Sequence, residues 1–165
     1  MNIAEDYRLT FTLKSKELGG QAVRKHVQCD GDNMSPQLYW ENPPEGTESF
    51  AVTMYDKDAP TGSGWWHWLI FDIPANIASL DPDAGNVKKD LVPFEAIQSK
   101  NSSGLFGYTG PCPPKGDRPH EYKFTVYALK VKSLRLKEDS TPEQVGFMLQ
   151  AYALQKASLI MYFQR

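Results

Sequence analysis

The sequence has no long hydrophobic run, no excess of one charge and few cysteines. Its longest apolar stretches are far shorter than the ~20 residues that a membrane-spanning helix needs, which excludes an integral membrane segment. Lys and Arg number 18 against 20 Asp and Glu, giving a net charge of −2, so bulk charge does not predict nucleic-acid binding. The amino terminus carries acidic side chains and no apolar stretch typical of a secretory signal. We therefore expect a cytoplasmic protein.

The two cysteines, Cys29 and Cys112, are too few for a disulfide-stapled scaffold. Disulfides are rare in the reducing cytoplasm. The sequence therefore predicts two free thiols rather than a disulfide.

Motifs for several enzyme classes are also absent. No Gly-x-Ser-x-Gly segment is present, so the sequence lacks the nucleophile turn of α/β-hydrolases. None of the three histidines forms a His-x-x-x-His pair, which is a common arrangement of zinc ligands. We expect no metal and no cofactor, although two His and two Asp side chains brought together can ligate zinc or iron.

The residues that are present favour a mainly β fold. Twelve Gly and twelve Pro indicate many turns, and short apolar or alternating stretches lie between them. We predict strands near residues 9–13, 23–28, 37–41, 50–55, 65–73, 91–98, 121–129 and 157–163. One helix is predicted from a capping Thr141, a Pro142 at the first helical position and Gln144 three residues after the cap. Its apolar face comprises Val145, Met148, Leu149 and Tyr152.

The most informative stretch is Tyr55-Asp56-Lys57-Asp58-Ala59-Pro60-Thr61-Gly62-Ser63-Gly64-Trp65-Trp66-His67-Trp68. Residues two apart on a strand share a face, so Asp56 and Asp58 are expected to point together and Lys57 away from them. The Pro/Gly loop reverses the chain and brings His67 back towards the two carboxylates. By the same alternation Trp65 shares the face of His67, whereas Trp66 and Trp68 face the other way. By itself, this stretch is explained somewhat better by an acidic strand end with a buried structural His.

A second stretch favours a binding site: Gly107-Tyr108-Thr109-Gly110-Pro111-Cys112-Pro113-Pro114-Lys115-Gly116-Asp117-Arg118-Pro119-His120-Glu121-Tyr122. Together the two stretches resemble the signature regions of the phosphatidylethanolamine-binding protein family, also called Raf kinase inhibitor proteins. The matching parts are Asp56-x-Asp58-Ala59-Pro60 with Trp65-x-His67, and Gly110-Pro111-x-Pro113-Pro114-Lys115-Gly116 with His120-x-Tyr122. The Gly-Pro-Cys-Pro-Pro form and residues 31–36 are similar to the bacterial branch.

The length predicts a single domain spanning residues 1–165. The resemblance, which covers roughly Asp30 to the C-terminus, implies an antiparallel β-sandwich of two sheets with one or two peripheral α-helices. It also implies a non-enzymatic protein with a pocket for a small anion, such as phosphate or a phospholipid head group, and a possible regulatory role. The ligand-binding residues that it implies are Asp56, Asp58, His67, Gly110, Pro111, His120 and Tyr122. Imidazoles, the Tyr hydroxyl and backbone N–H groups of the Gly-rich loop are suitable donors for an oxyanion.

Partners and alternatives stay open at this point. The family name implies lipid binding and a kinase-like protein partner, neither of which the residues show, and bacterial relatives imply a homodimer. The alternative function is a small-molecule, hydrolase-like enzyme that uses His67 or His120 as a base; a regulatory protein whose pocket senses a ligand is a third. Two departures from the family pattern are Lys57, which replaces a Pro, and Thr109, which replaces a Gly. The resemblance further implies a cis Ala59–Pro60 bond.

Overall fold

The computed structural model describes residues 10–165, which form two antiparallel sheets and one helix. A three-stranded sheet has the order β1 (Thr12–Lys14), β2 (Leu38–Glu41) and β5 (Ser79–Leu80). A five-stranded sheet has the order β6 (Ile97–Gln98), β4 (Trp65–Pro74), β3 (Ser49–Asp56), β7 (His120–Leu129) and β8 (Ala153–Phe163). The predicted two-sheet, mainly β fold is therefore confirmed, with a 3-10 turn at Arg24–His26 and helix α1 at Pro142–Tyr152.

Alternating side chains of the large sheet form two apolar layers. One layer packs against the small sheet, and its buried residues include Phe50, Met54, Trp68 and Phe124 from the large sheet and Leu38 from the small one. The opposite face is covered by α1, whose Val145 and Leu149 are buried. The large sheet is thus covered on both faces, which holds the ends of β3, β4 and β7 in fixed positions.

The amino-terminal boundary of α1 forms as the sequence predicts. The Thr141 hydroxyl accepts a hydrogen bond from the Gln144 backbone N–H, and the Gln144 side chain accepts one from the Thr141 N–H. This capping box satisfies two N–H groups that the first helical turn leaves unpaired. Within residues 10–165, no helix is long and apolar enough to cross a membrane.

Two predicted strands are wrong in whole or in part. The strand expected at residues 23–28 is instead a 3-10 turn, because the carbonyls of Arg24, Lys25 and Val27 accept hydrogen bonds from the loop that follows them. The strand expected at residues 91–98 is reduced to Ile97–Gln98, since a turn closed by the Ala96 N–H and the Pro93 carbonyl precedes it. Of the strand predicted at residues 9–13, position 9 lies outside the described residues.

The turn at Ala59–Pro60 contains a trans peptide, so the expected cis bond is wrong: residues 10–165 include no cis peptide. The chain reverses by other means. The Thr61 N–H donates to the Ala59 carbonyl over 2.7 Å, the Thr61 hydroxyl donates to the Gly64 carbonyl, and Gly64 adopts φ +75. A positive φ is readily available to glycine, which has no Cβ.

Strand β4 contains a bulge that changes which way its aromatic residues point. Trp66 pairs with Tyr55 and Trp68 pairs with Met54, which leaves His67 as an extra residue between them. A bulge of this kind re-aims the side chains that flank it. Trp66 therefore packs on the helix side and Trp68 in the core between the sheets. The expectation that Trp66 and Trp68 share a face is wrong.

Candidate functional site

A cavity of about 320 Å³ opens at the end of the sandwich where β3 ends and β4 and β7 begin. In the register of the large sheet, Asp56 pairs with Trp65 on one side and with Tyr122 on the other. Paired residues of antiparallel strands project to the same face. The cavity is lined by Gln28, Asp56, Ala59, Pro60, Thr61, Trp65, His67, Ser103, Thr109, Gly110, Cys112, Pro113, Pro114, His120 and Tyr122.

Five of the seven residues that the sequence analysis singled out meet at this cavity: Asp56, His67, Gly110, His120 and Tyr122. The other two, Asp58 and Pro111, are not among its lining residues. Trp65 lines the cavity beside His67 as expected. The structure thus brings together both sequence signatures, although the binding role of each residue stays a prediction.

Asp58 instead holds the start of strand β7. Its Oδ2 accepts a hydrogen bond from the Glu121 backbone N–H at 2.9 Å, and its Oδ1 pairs with Arg118 at 3.0 Å. The Lys57 Nζ atom lies 3.3 Å from the same Oδ1 atom, so the expectation that Lys57 points away is wrong. The Glu121 hydrogen bond, followed by the Lys57 and Arg118 charges, lowers the pKa of Asp58 against the opposing effect of its partial burial. These contacts give Asp58 a structural role.

The rim formed by residues 109–114 is held to the loop around residue 28 by three connections. The Pro111 carbonyl accepts a hydrogen bond from the Gln28 N–H at 2.9 Å, and the Gly110 N–H donates to Asn33 Oδ1 at 2.7 Å. The third is a disulfide between Cys29 and Cys112, whose Cα atoms are 5.0 Å apart.

These connections correct two sequence-based expectations. The two thiols predicted to be free are joined, because the fold brings two loops that are 83 residues apart in sequence against each other. The Gly110 N–H, expected to donate to an oxyanion, is already used by the Asn33 side chain. The N–H groups of Thr109 and Gly110 are therefore not free to bind a ligand.

The His67 ring is fixed by the rim. Its Nδ1 atom donates a hydrogen bond to the Thr109 carbonyl over 2.6 Å, and the Thr109 N–H donates in return to the His67 carbonyl. Because a carbonyl can only accept, Nδ1 carries the proton of the neutral ring and Nε2 is left as an acceptor. Burial lowers the pKa of His67, although the Thr109 carbonyl and the Asp56 charge act in the opposite direction.

His120 lies between two carboxylates. Its Nδ1 atom is 2.8 Å from Asp56 Oδ2, and its Nε2 atom is 3.0 Å from Asp117 Oδ2. Both ring nitrogens therefore act as donors, as in the protonated imidazolium. Burial acts to lower the pKa of His120, but the hydrogen bonds and charges of Asp56 and Asp117 outweigh it, so the pKa is raised. The contacts of the two rings therefore favour a charged His120 beside a neutral His67.

Tyr122 supplies a hydrogen-bond donor to the cavity. Its ring stands edge-on to the His67 ring, with centroids 5.3 Å apart, and stacks beside His120 at 6.2 Å. Within residues 10–165 its hydroxyl has no hydrogen-bond partner. Burial first, and then the charges of Asp56 and Asp58, raise the pKa of Tyr122. The hydroxyl therefore keeps its proton and can donate a hydrogen bond to a ligand.

Several residues of the site were not identified from the sequence. Thr109 was noted only as a departure from the family pattern, yet its carbonyl orients His67, and Asn101 donates to its hydroxyl at 2.9 Å. Gln28 and Asp117 were missed altogether. A predicted Cys29–Cys112 disulfide would have placed residue 28 near the rim, but the sequence analysis expected free thiols. Within residues 10–165, no group of three or more His, Cys, Asp or Glu side chains is arranged to hold a metal ion.

Comparison with known proteins adds an independent line of evidence. The family model described as phosphatidylethanolamine-binding protein matches residues 14–164. The UPF0098 protein YbcL of Escherichia coli strain K12 is 44% identical over 160 residues, which cover 93% of this chain and 87% of YbcL. The UPF0098 protein YbhB of the same strain is 42% identical over 149 residues, which cover 88% and 93% of the two chains.

Solved structures agree with these sequence matches. The crystal structure of Escherichia coli YbcL, described as a new member of the mammalian PEBP family, superposes with a TM-score of 0.92 over 94% of this chain and 98% of YbcL. A phosphatidylethanolamine-binding protein homologue from Chlamydia trachomatis superposes with a TM-score of 0.78 at 27% identity, covering 94% and 98% of the two chains.

Proposed function

Because the chain belongs to the phosphatidylethanolamine-binding protein family, we propose that it is a non-enzymatic binding protein whose cavity holds a small oxyanion. The observation that carries the proposal is the Tyr122 hydroxyl, a protonated donor with no partner within residues 10–165. This hydroxyl faces the cavity, so a ligand that accepts its hydrogen bond gains a contact without displacing a protein partner. The cavity volume of about 320 Å³ lies at the small end of the range for ligand sites.

The chemistry of the lining favours a phosphate-like group. The protonated His120 supplies positive charge, and His67 Nε2 becomes a second donor when that ring gains a proton. The rings of Trp65 and Tyr122 form part of the cavity wall, and an apolar wall strengthens hydrogen bonds to an anion. A phosphate monoester has both the charge and the size for these groups, whether it comes as a free metabolite or as a lipid head group.

The test is titration calorimetry with three ligands: sulfate, phosphoethanolamine and vesicles that contain phosphatidylethanolamine. We expect the two small anions to bind and Tyr122→Phe to weaken both by about five- to tenfold, as the loss of one hydrogen bond to a charged group predicts. Tyr55→Phe is the matched control, because the Tyr55 hydroxyl donates to the Ser63 carbonyl outside the cavity lining. Binding to vesicles but not to phosphoethanolamine identifies a lipid ligand. No binding of any ligand contradicts the proposal.

The alternative enzyme function has one observation in its favour, the Asp56–His120 hydrogen bond, which resembles the orienting pair of hydrolases. Both ring nitrogens of His120 face carboxylates, so a general base in this cavity would be His67, whose Nε2 atom is the free acceptor. Phosphorus NMR of phosphoethanolamine incubated with equimolar protein tests this. We expect the ester to stay intact, and release of inorganic phosphate supports the enzyme instead.

The location and the partners of the protein stay predictions. The cytoplasmic location was predicted together with free thiols, and the Cys29–Cys112 disulfide argues for an oxidising compartment instead, because disulfides seldom persist in a reducing one. Alkylation of free thiols inside the native cells distinguishes the two compartments. Alkylated cysteines indicate the reducing cytoplasm, and cysteines protected from alkylation indicate an oxidising compartment. A regulatory role, a kinase-like partner and a homodimer are implied by the family resemblance alone.

A further inference from the structure

The contact between Asp117 and His120 determines whether a ligand can reach the Nε2 atom of His120. Breaking this one contact would give a ligand a positively charged donor, His120 Nε2, while Nδ1 stays held by Asp56. The side chain of Asp56 is 4% exposed, whereas that of Asp117 is 41% exposed. Of the two carboxylates, Asp117 is therefore the one that can leave.

The segment that carries Asp117 lies at the surface, where the Gly116 N–H donates to the Arg165 carbonyl at 3.2 Å and Arg118 pairs with Asp58. Residues 114–116, 118 and 119 are exposed, and the turn is closed by a 3.3 Å hydrogen bond from the Asp117 N–H to the Pro114 carbonyl. Gly116 adopts φ +89, and a Cβ atom added to it would meet nothing within 4 Å. Among residues 10–165, the Asp117 carboxylate is bonded to His120 alone. Rotation of this one side chain exposes His120 Nε2 without disturbing the strands.

We propose that Asp117 is an internal competitor for the binding site: its carboxylate occupies His120 Nε2 in the free protein, and a ligand oxyanion must displace it. This inference rests on the proposed function and adds a residue that limits affinity. A carboxylate is itself an oxyanion, so it satisfies the imidazolium in the way that a phosphate oxygen does. It also repels an approaching anion by Coulomb interaction. A ligand therefore needs several strong hydrogen-bond acceptors to displace the Asp117 carboxylate from His120 Nε2.

Two substitutions separate the competition from the repulsion. Asp117→Asn removes the negative charge but keeps an oxygen that accepts from Nε2, whereas Asp117→Ala removes both. We expect sulfate affinity to rise about threefold in the Asn variant and about tenfold in the Ala variant, within the range that one nearby charge and one strong hydrogen bond contribute. Glu121→Gln is the matched control, since it changes the net charge equally on the strand residue next to His120 and lies outside the cavity lining.

The measurement is titration calorimetry with sulfate at pH 6 and low ionic strength, with urea unfolding to show that each variant is folded. The proposal predicts the affinity order Ala, then Asn, then the parent and Glu121→Gln together. If the parent binds sulfate and Asp117→Ala binds it no more tightly, the competitor role is wrong while the anion site stands. An equal gain in Glu121→Gln also overturns the proposal, because it shows a bulk charge effect. If none of the four proteins binds sulfate, the proposed function fails as well.

A crystal of the parent soaked in sulfate gives a second measurement, the position of the Asp117 side chain, which does not depend on the overall charge of the protein. The proposal predicts that the Asp117 carboxylate leaves His120 and that its 3.0 Å contact with Nε2 is replaced by a sulfate oxygen. Sulfate bound in the cavity with the Asp117 contact intact contradicts the proposal.

Discussion

The Nδ1 atom of His67 donates its proton to the carbonyl oxygen of Thr109, 2.6 Å away. This one contact determines the tautomer of the ring and therefore what Nε2 can do. In the neutral ring Nε2 accepts hydrogen bonds, and it becomes a donor only after the ring takes up a proton. An anion without a proton of its own can bind to His67 only in that protonated form.

Sulfate binding is therefore expected to strengthen as the pH falls. Burial lowers the pKa of His67 below its ordinary value of 6.5, and a bound anion raises it again. At pH values between the pKa of His67 in the free protein and its pKa in the complex, binding takes up one proton. The association constant therefore rises by up to about tenfold for each unit by which the pH falls. Because the pKa of the free ring is lowered, the rise continues to below about pH 6.5 before it levels off. Calorimetry between pH 5 and 8 measures it. His67→Gln is expected to show little dependence over the acid part of this range, and an equally steep slope in that variant contradicts the assignment to His67.

Asp56 is expected to matter for stability as well as for the site. It is buried and accepts hydrogen bonds from His120 Nδ1 and from the Asp58 N–H. Asp56→Ala leaves the buried His120 Nδ1 atom and the Asp58 N–H without partners, so we expect the free energy of unfolding to fall by about 3–5 kcal/mol. Urea denaturation measures the loss. The exposed Asp81→Ala is the control and should stay within about 0.5 kcal/mol of the parent. A loss below ~1 kcal/mol in Asp56→Ala shows that the pair is not important for folding.

Gly110 has no room for a side chain. A Cβ atom added there lies 2.3 Å from the His26 carbonyl oxygen, so the rim must shift away from the loop around residue 28. We expect Gly110→Ala to lower the free energy of unfolding by about 1–3 kcal/mol and to weaken sulfate binding. Gly62→Ala is a suitable control, because its Cβ meets nothing within 4 Å. Equal stability and affinity in the two variants contradict a role for close packing at the rim.

The Cys29–Cys112 disulfide is expected to stabilise the whole fold, because it links positions that are 83 residues apart. Replacing both cysteines by Ser should lower the free energy of unfolding by about 2–4 kcal/mol, since a long loop in the unfolded chain is released. Dithiothreitol should lower the urea midpoint of the parent to that of the double variant and leave the variant unchanged. A parent that is insensitive to reduction shows that the two sulfurs are not joined.

Much of the fold could be predicted from the sequence because its signals are local. The capping box of α1 and the apolar runs of β3, β4 and β7 depend on residues close together in the chain, and all were predicted. The failures arose where distant segments decide the outcome. The loop after His26 takes the carbonyls that a strand at residues 23–28 would need, and a bulge at His67 breaks the two-residue alternation that placed Trp68.

The candidate site shows the same division. Asp56, His67, His120 and Tyr122 were identified because two motifs place them at strand ends, and antiparallel pairing brings those ends together. The roles of Thr109, Asn33 and Asp117 depend on hydrogen bonds between loops, which no periodic pattern encodes. Asp58 was misplaced because strand alternation does not apply beyond Asp56, where β3 ends.

The central claim, that an oxyanion occupies the cavity beside Tyr122, is tested most directly by a crystal soaked in selenate. Selenate has the shape and charge of sulfate, and anomalous scattering locates its selenium atom without ambiguity. The account predicts one selenate in the cavity, with an oxygen about 2.5–3.0 Å from the Tyr122 hydroxyl, and a clearly lower selenate occupancy in Tyr122→Phe crystals soaked at the same subsaturating concentration. Selenate bound elsewhere on the protein while the cavity holds none would contradict it.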